Sequence, residues 1–154
     1  MSDMNTLLTS IRDGIAGNAA IKTWTQATYT KDHKVFVGLD TRFPPAESDC
    51  PCVVLSPARK IGGESQEVIT HKFEVSCEII NEGSTTTSNK VEYNGVQEIE
   101  TFRQKVLDAI HGLADIRIRT VETEYETIMF FPSFMCDMVI TIEEETEFGS
   151  EFVE

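Results

Sequence analysis

The sequence predicts an α+β fold: a single antiparallel-rich, mixed sheet of about six strands with two amphipathic helices packed on one face, in the order α-β-β-β-β-α-β-β. Three observations lead there. From Phe134 to Ile142 the chain alternates, with Phe134, Cys136, Met138, Ile140 and Ile142 on one side and Met135, Asp137, Val139, Thr141 and Glu143 on the other. A second run does the same: Ile69, His71, Phe73, Val75, Cys77 and Ile79 alternate with Thr70, Lys72, Glu74, Ser76 and Glu78. Two further stretches repeat at the helical spacing of three and four.

The first helix runs from about Met4 to Ala16, with Leu7, Leu8, Ile11 and Ile15 as its apolar stripe. Asp3 or Asn5 can cap its start, and Gly17 is its stop. Two strands are expected next, Ile21 to Tyr29 and Lys34 to Leu39, joined as a hairpin by the polar turn Thr30-Lys31-Asp32-His33. Val35, Val37 and Leu39 would share its inner face. The loop from Asp40 to Asp49 follows, where Pro44-Pro45 forbids helix and sheet alike. Phe43 in that loop is either tucked back onto the core or a contact residue.

Cys52-Val53-Val54-Leu55 reads as a short central strand ended by Pro57. After a Gly62-Gly63-Glu64-Ser65 turn, the long alternating strand spans about Glu67 to Ile80. His71 on its apolar side belongs near the strand's open end or in a hydrogen bond. Asn81 to Gly95 is polar and reads as a mobile loop. The second helix spans about Val96 to Gly112, with Val96, Ile99, Phe102, Val106, Ile110 and Leu113 inside and Gly112 as its stop. A strand from Ile116 to about Thr127 carries Ile116 and Ile118 opposite Arg117 and Arg119. Phe130-Phe131-Pro132 makes the bend into the closing strand. Residues 1–145 thus form one domain, and 146–154 an acidic, flexible tail with Phe148 and Phe152 among its acids.

Charge and composition narrow the function. The 154 residues carry a net charge of −13, and after Arg119 there is no Lys or Arg against ten acids. A sequence-specific nucleic-acid binder needs the opposite sign to neutralise phosphates. The start, Met-Ser-Asp-Met-Asn, lacks a signal-peptide pattern, and no apolar run reaches the ~20 residues of a membrane span. A cytosolic protein with reduced cysteines is expected. Cys50-Pro51-Cys52 is a C-x-C, not the C-x₂-C of zinc sites. Burial at a strand start is its ordinary reading, and a metal site with one histidine the alternative. No phosphate-binding glycine loop, nucleophile elbow, H-E-x-x-H or EF-hand loop occurs, and His33, His71 and His111 share no spacing. No catalytic residue, cofactor or metal is expected from the motifs.

The apolar strand Cys50-Pro51-Cys52-Val53-Val54-Leu55, the long strand Lys72 to Ile79, the helix Ile99 to Ile110, and the Phe-Pro bend into Met135 to Ile142 follow one another in a familiar order. The whole resembles the tail terminator and tail completion proteins of long-tailed bacteriophages, in element order rather than through a motif. The resemblance implies a non-enzymatic homo-hexameric ring. That ring would cap the tail tube protein, stop its polymerisation and face the head–tail connector protein, first in the host cytoplasm and then in the virion tail. DNA would pass through without specific binding. An acidic lumen suits that passage, and Glu122, Glu124, Glu126, Glu143, Glu144 and Glu145 are candidates for the channel or interface surface. Arg42, Phe43, Arg59, Lys60, Thr85, Thr86, Thr87, Phe148 and Phe152 are candidate partner or subunit contacts. The rival readings are another neck, minor-tail or host adaptor module, and a small metal-dependent enzyme.

Overall fold

A computed structural model describes residues 3–62, 68–113 and 119–145. The fold is α+β, with three helices, a mixed five-stranded sheet and a separate two-stranded hairpin. Helix α1 (Met4–Gly17) is capped by Asp3, whose carboxylate accepts the Thr6 N–H at 2.6 Å. Leu7, Ile11 and Ile15 form its buried stripe.

The expected strand from Ile21 to Tyr29 is instead helix α2 (Ala19–Tyr29). Two local features explain the difference. Asn18, the residue between the helices, takes an extended conformation, and its side chain accepts the Ile21 N–H at 3.0 Å. One residue therefore ends α1 and starts α2. Ile21, Trp24, Thr25 and Tyr29 also fall at helical spacing, a signal obscured by their β-branched and aromatic character. Ile21 and Thr25 are fully buried, and Trp24 stacks on Phe102 at 5.5 Å.

With α2 in place, the predicted first hairpin does not exist. Strand β1 (Lys34–Val37) pairs in parallel with β2 (Cys52–Ile61), across a crossover that holds the 3₁₀ turn Glu47–Asp49. Gly38, at φ +76°, turns the chain out after β1. Val35 and Val37 share the side of Val53 and Leu55 by register, as expected, but Val37 at the strand's end is 46% exposed, and Leu39 lies beyond the strand and is 48% exposed. Pro57 does not end β2, which continues to Ile61. Beyond Leu55 strand β1 has stopped, and the ladder to β3 shifts register between Pro57 and Arg59, so the missing proline donor falls at a free edge beside a bulge.

Strand β3 (Val68–Ile80) and strand β7 (Ser133–Glu145) pair antiparallel along their whole length, from Val68↔Glu145 to Ile80↔Ser133. Strand β6 (Arg119–Phe130) closes the sheet, giving the order β1-β2-β3-β7-β6. The expected strand from Ile116 thus begins at Arg119 among the described residues, and Ile116, Arg117 and Ile118 lie outside them. The segment expected to be a mobile loop forms a hairpin of β4 (Ser84–Thr87) and β5 (Lys90–Tyr93). Helix α3 (Asn94–His111) follows it directly, starting two residues before the expected Val96, and Gly112 is its C-cap.

One core joins Leu7, Ile11, Ile15 and Ile21 of the first two helices to Ile99, Phe102, Val106 and Ile110 of α3, and to the inward residues of the sheet. Those inward residues are Val53, Leu55, Phe73, Val75, Cys77, Ile79, Phe134, Cys136, Met138, Ile140 and Ile142. The alternation read in β3 and β7 therefore holds, with the helices on one face as expected. Gly95 is needed at the start of α3, because a Cβ there would lie 2.2 Å from the Phe134 ring.

Candidate functional site

The face of the sheet turned away from the helices is a chemically distinctive surface. Register places Glu74 and Glu78 of β3, Asp137 and Glu143 of β7, and Glu124 and Glu126 of β6 on it. Lys72, Arg59 and, opposite Glu143 on β6, Arg119 are the cations at matching positions among the described residues. Glu74, Glu124 and Glu126 are exposed, and Glu78, Asp137 and Glu143 half-buried. No helix covers this face among the described residues. The acids also lie along β6, the long free edge of the sheet, where charge opposes indiscriminate strand pairing.

The predicted acidic set is thereby divided. Glu143 belongs to the open face. Glu144 belongs to the helix face, where its Oε2 lies 3.5 Å from Nε2 of the fully buried His71. Glu122 pairs with Thr141, in register with Glu124 and Glu126. The backbone of Glu145 pairs with Val68, and its side chain lies outside the description. His71 is indeed near the strand's open end. Burial, then the charge of Lys60, holds its pKa below the ordinary imidazole value against the opposing pull of Glu144.

A second surface lies at the end of the sheet where β6 turns into β7. Met129, Phe130 and Phe131 are 60%, 70% and 56% exposed, and Tyr93 of β5 meets Phe131 edge-on at 5.4 Å. The β4–β5 hairpin is anchored beside it. The Asn81 N–H donates to the Pro132 carbonyl at 2.9 Å, Gly83 N–H to the Asn81 side chain at 2.7 Å, and Asn94 N–H to the Gly83 carbonyl at 3.0 Å. Asn81 also donates to Glu98 of α3. Thr85, Thr86 and Thr87 stand exposed on this hairpin, ordered by strand pairing rather than loose in a loop. Sequence reasoning missed the hairpin because its strands are short and wholly exposed, leaving no apolar alternation to read.

The remaining predicted contacts are dispersed. Phe43 is 77% exposed and not tucked onto the core. Arg42 pairs bidentately with Asp40, at 3.0 Å for both bonds, and lies 5.9 Å from the Phe43 ring centre. The pair with Asp40 holds that carboxyl below its usual range. Arg59 and Lys60 occupy successive positions of outer β2, opposite Lys72 and His71, and so belong to opposite faces. Phe148 and Phe152 lie outside the described residues.

One group of side chains could hold a metal. Cys50, Cys52 and Glu78 bring two sulfurs and a carboxylate oxygen within 4.8 Å of one another. Cys52 and Glu78 are direct partners across the β2–β3 ladder, on the open-face side. The Cys52 thiol is pushed far above its ordinary pKa, first by its hydrogen bond with Cys50 and then by burial, so Cys52 is a neutral thiol when nothing is bound. No histidine joins them, contrary to the alternative weighed from sequence. His33 is buried on the helix side, where Nε2 donates to the Ile15 carbonyl at 2.8 Å.

No helix among the described residues is long and apolar enough to cross a membrane. No protein-family model matches the chain, and no curated protein matches it.

Proposed function

We propose that this protein is a non-enzymatic assembly subunit of a long phage tail, acting as a ring of six copies that caps the tube, stops its growth and joins it to the head connector. The observation that carries the reading is the uncovered acidic face of the sheet, with Glu74, Glu78, Glu124, Glu126, Asp137 and Glu143 against Lys72, Arg59 and Arg119 at matching positions. Repeated around a ring, such a surface gives a lumen through which duplex DNA slides without phosphate contacts. The exposed aromatic end, with Tyr93, Phe130 and Phe131, supplies apolar contact area of the kind that protein partners bury. That apolar area supports reading the β6–β7 turn and the β4–β5 hairpin as the tube-facing or subunit contact.

Two measurements test the reading. Light scattering behind a size-exclusion column, with and without purified tail tube subunits, is expected to give a mass near six subunits in at least one condition. Deletion of the gene from its phage is expected to give tails of abnormal length. A monomer under both conditions, together with tails of normal length, overturns the proposal.

A further inference from the structure

We propose that Cys50, Cys52 and Glu78 form a binding site for one thiophilic divalent cation of the zinc type, which clamps the ends of the three interior strands. The site is independent of the ring reading. Its three donors come from two places in the chain. The 3₁₀ turn Glu47–Asp49 delivers Cys50, whose N–H donates to the Glu47 carbonyl at 3.2 Å, and Pro51 then leads into β2. Cys52 opens β2, and Glu78 stands directly opposite it on β3. The sulfurs and the carboxylate oxygen thereby converge on one point within 4.8 Å.

The chemistry of that point suits a cation. Cys50 and Cys52 are 4% and 0% exposed, and Glu78 has no ion-pair partner among the described residues. A tetrahedral zinc ion with sulfur at about 2.3 Å and oxygen at about 2.0–2.2 Å needs ligand atoms roughly 3.5–4 Å apart. Three donors already within 4.8 Å reach that spacing by small side-chain rotations. Two sulfurs and one oxygen select zinc-type ions over magnesium or calcium, which take oxygen sets. The Ser133 hydroxyl donates to Glu78 Oε1 at 2.7 Å, the outer hydrogen bond that orients a metal-ligating carboxylate.

Binding exchanges two thiol protons for the divalent ion, and a water or a residue from a partner takes the fourth position. Because Ser133 opens β7, the ion would tie together the starts of β2 and β7 and the end of β3. That is the end of the sheet beside the exposed Phe131 and Tyr93.

Cobalt(II) added to reduced, metal-free full-length protein is the probe. The expected result is saturation at one equivalent with an intense thiolate-to-cobalt charge-transfer band, displaced by zinc. Cys50→Ser and Cys52→Ser should remove the band. Glu78→Gln should weaken cobalt binding at least tenfold, and Ser133→Ala about tenfold. Cys77→Ala and Cys136→Ala should keep the band, since those thiols lie on the helix face. Should the Cys50 and Cys52 variants fail to fold, the wild-type protein still decides: zinc must protect two of the four thiols from a disulfide reagent. Absence of the band, its survival in both serine variants, or equal reactivity of all four thiols with and without zinc overturns the site.

Discussion

Arg103 should hold the edge strand β6 to the body of the protein. It lies on α3, is only 4% exposed, and sets its guanidinium 4.3 Å from the ring centre of Tyr125 on β6. Its Nε donates to Glu100 at 2.9 Å, and the pair keeps Glu100 ionised below its ordinary range. The magnitude follows from exposure. The two buried stem methylenes that truncation to alanine removes contribute about 1.6 kcal/mol, and the i,i+3 pair with the half-exposed Glu100 about 0.3 kcal/mol. Tyr125 is 57% exposed, so its cation–π contact belongs to the weak end of the range, about 0.5–1 kcal/mol. Arg103→Ala should therefore cost about 2.5 kcal/mol, and Arg103→Met, which keeps the stem, about 1 kcal/mol. Urea unfolding followed by circular dichroism gives both values. A double-mutant cycle of Arg103→Met with Tyr125→Ala should return a coupling of about 0.5–1 kcal/mol. The Met variant alone should also speed hydrogen exchange in the amides of β6 more than in those of β3. A coupling below about 0.3 kcal/mol, or equal exchange changes in both strands, would refute the role of Arg103 as the clamp on β6.

Three other outcomes are expected. Gly95→Ala should destabilise by about 1–3 kcal/mol, because the added methyl would sit 2.2 Å from the Phe134 ring beneath the start of α3; an unchanged urea midpoint contradicts that packing. Burial holds the pKa of both His33 and His71 below the ordinary imidazole value, so the unfolded chain takes up protons that the fold resists. Stability should be full above about pH 6.5 and fall as the pH drops below it, and His71→Leu should flatten that fall; stability that rises on acidification rejects the assignment. Phe130→Ser with Phe131→Ser should shift unfolding by less than about 0.5 kcal/mol per site while abolishing the proposed ring formation or tube capping; intact assembly by this double variant removes the aromatic end from the proposed interface.

The sequence by itself determined the elements whose burial is periodic. Strands β3 and β7 and helices α1 and α3 each put one face into the core, and a buried face must repeat at the period of its backbone. The Gly112 stop is legible for the same local reason, and the cap of α1 to within two residues, Asp3 or Asn5, of which Asp3 is the one used. Tertiary structure decided the rest. The segment of helix α2 reads as strand in the sequence because Ile21, Trp24, Thr25 and Tyr29 favour extended chain, a preference that Asn18 capping and packing on Phe102 outweigh. The parallel pairing of β1 with β2 depends on a crossover, which no local pattern encodes. The candidate site divides along the same line. Net charge, the acidic tilt of β6 and the alternation that parts Glu143 from Glu144 were visible residue by residue, but which acids of different strands stand together depended on register, which sets Glu74 and Glu124 on either side of Val139. Cys50 and Cys52 stood out as a pair, whereas Glu78 became their partner only because the antiparallel ladder sets it opposite Cys52. Local propensity is written in neighbouring residues, while convergence of distant side chains is a property of the folded sheet alone.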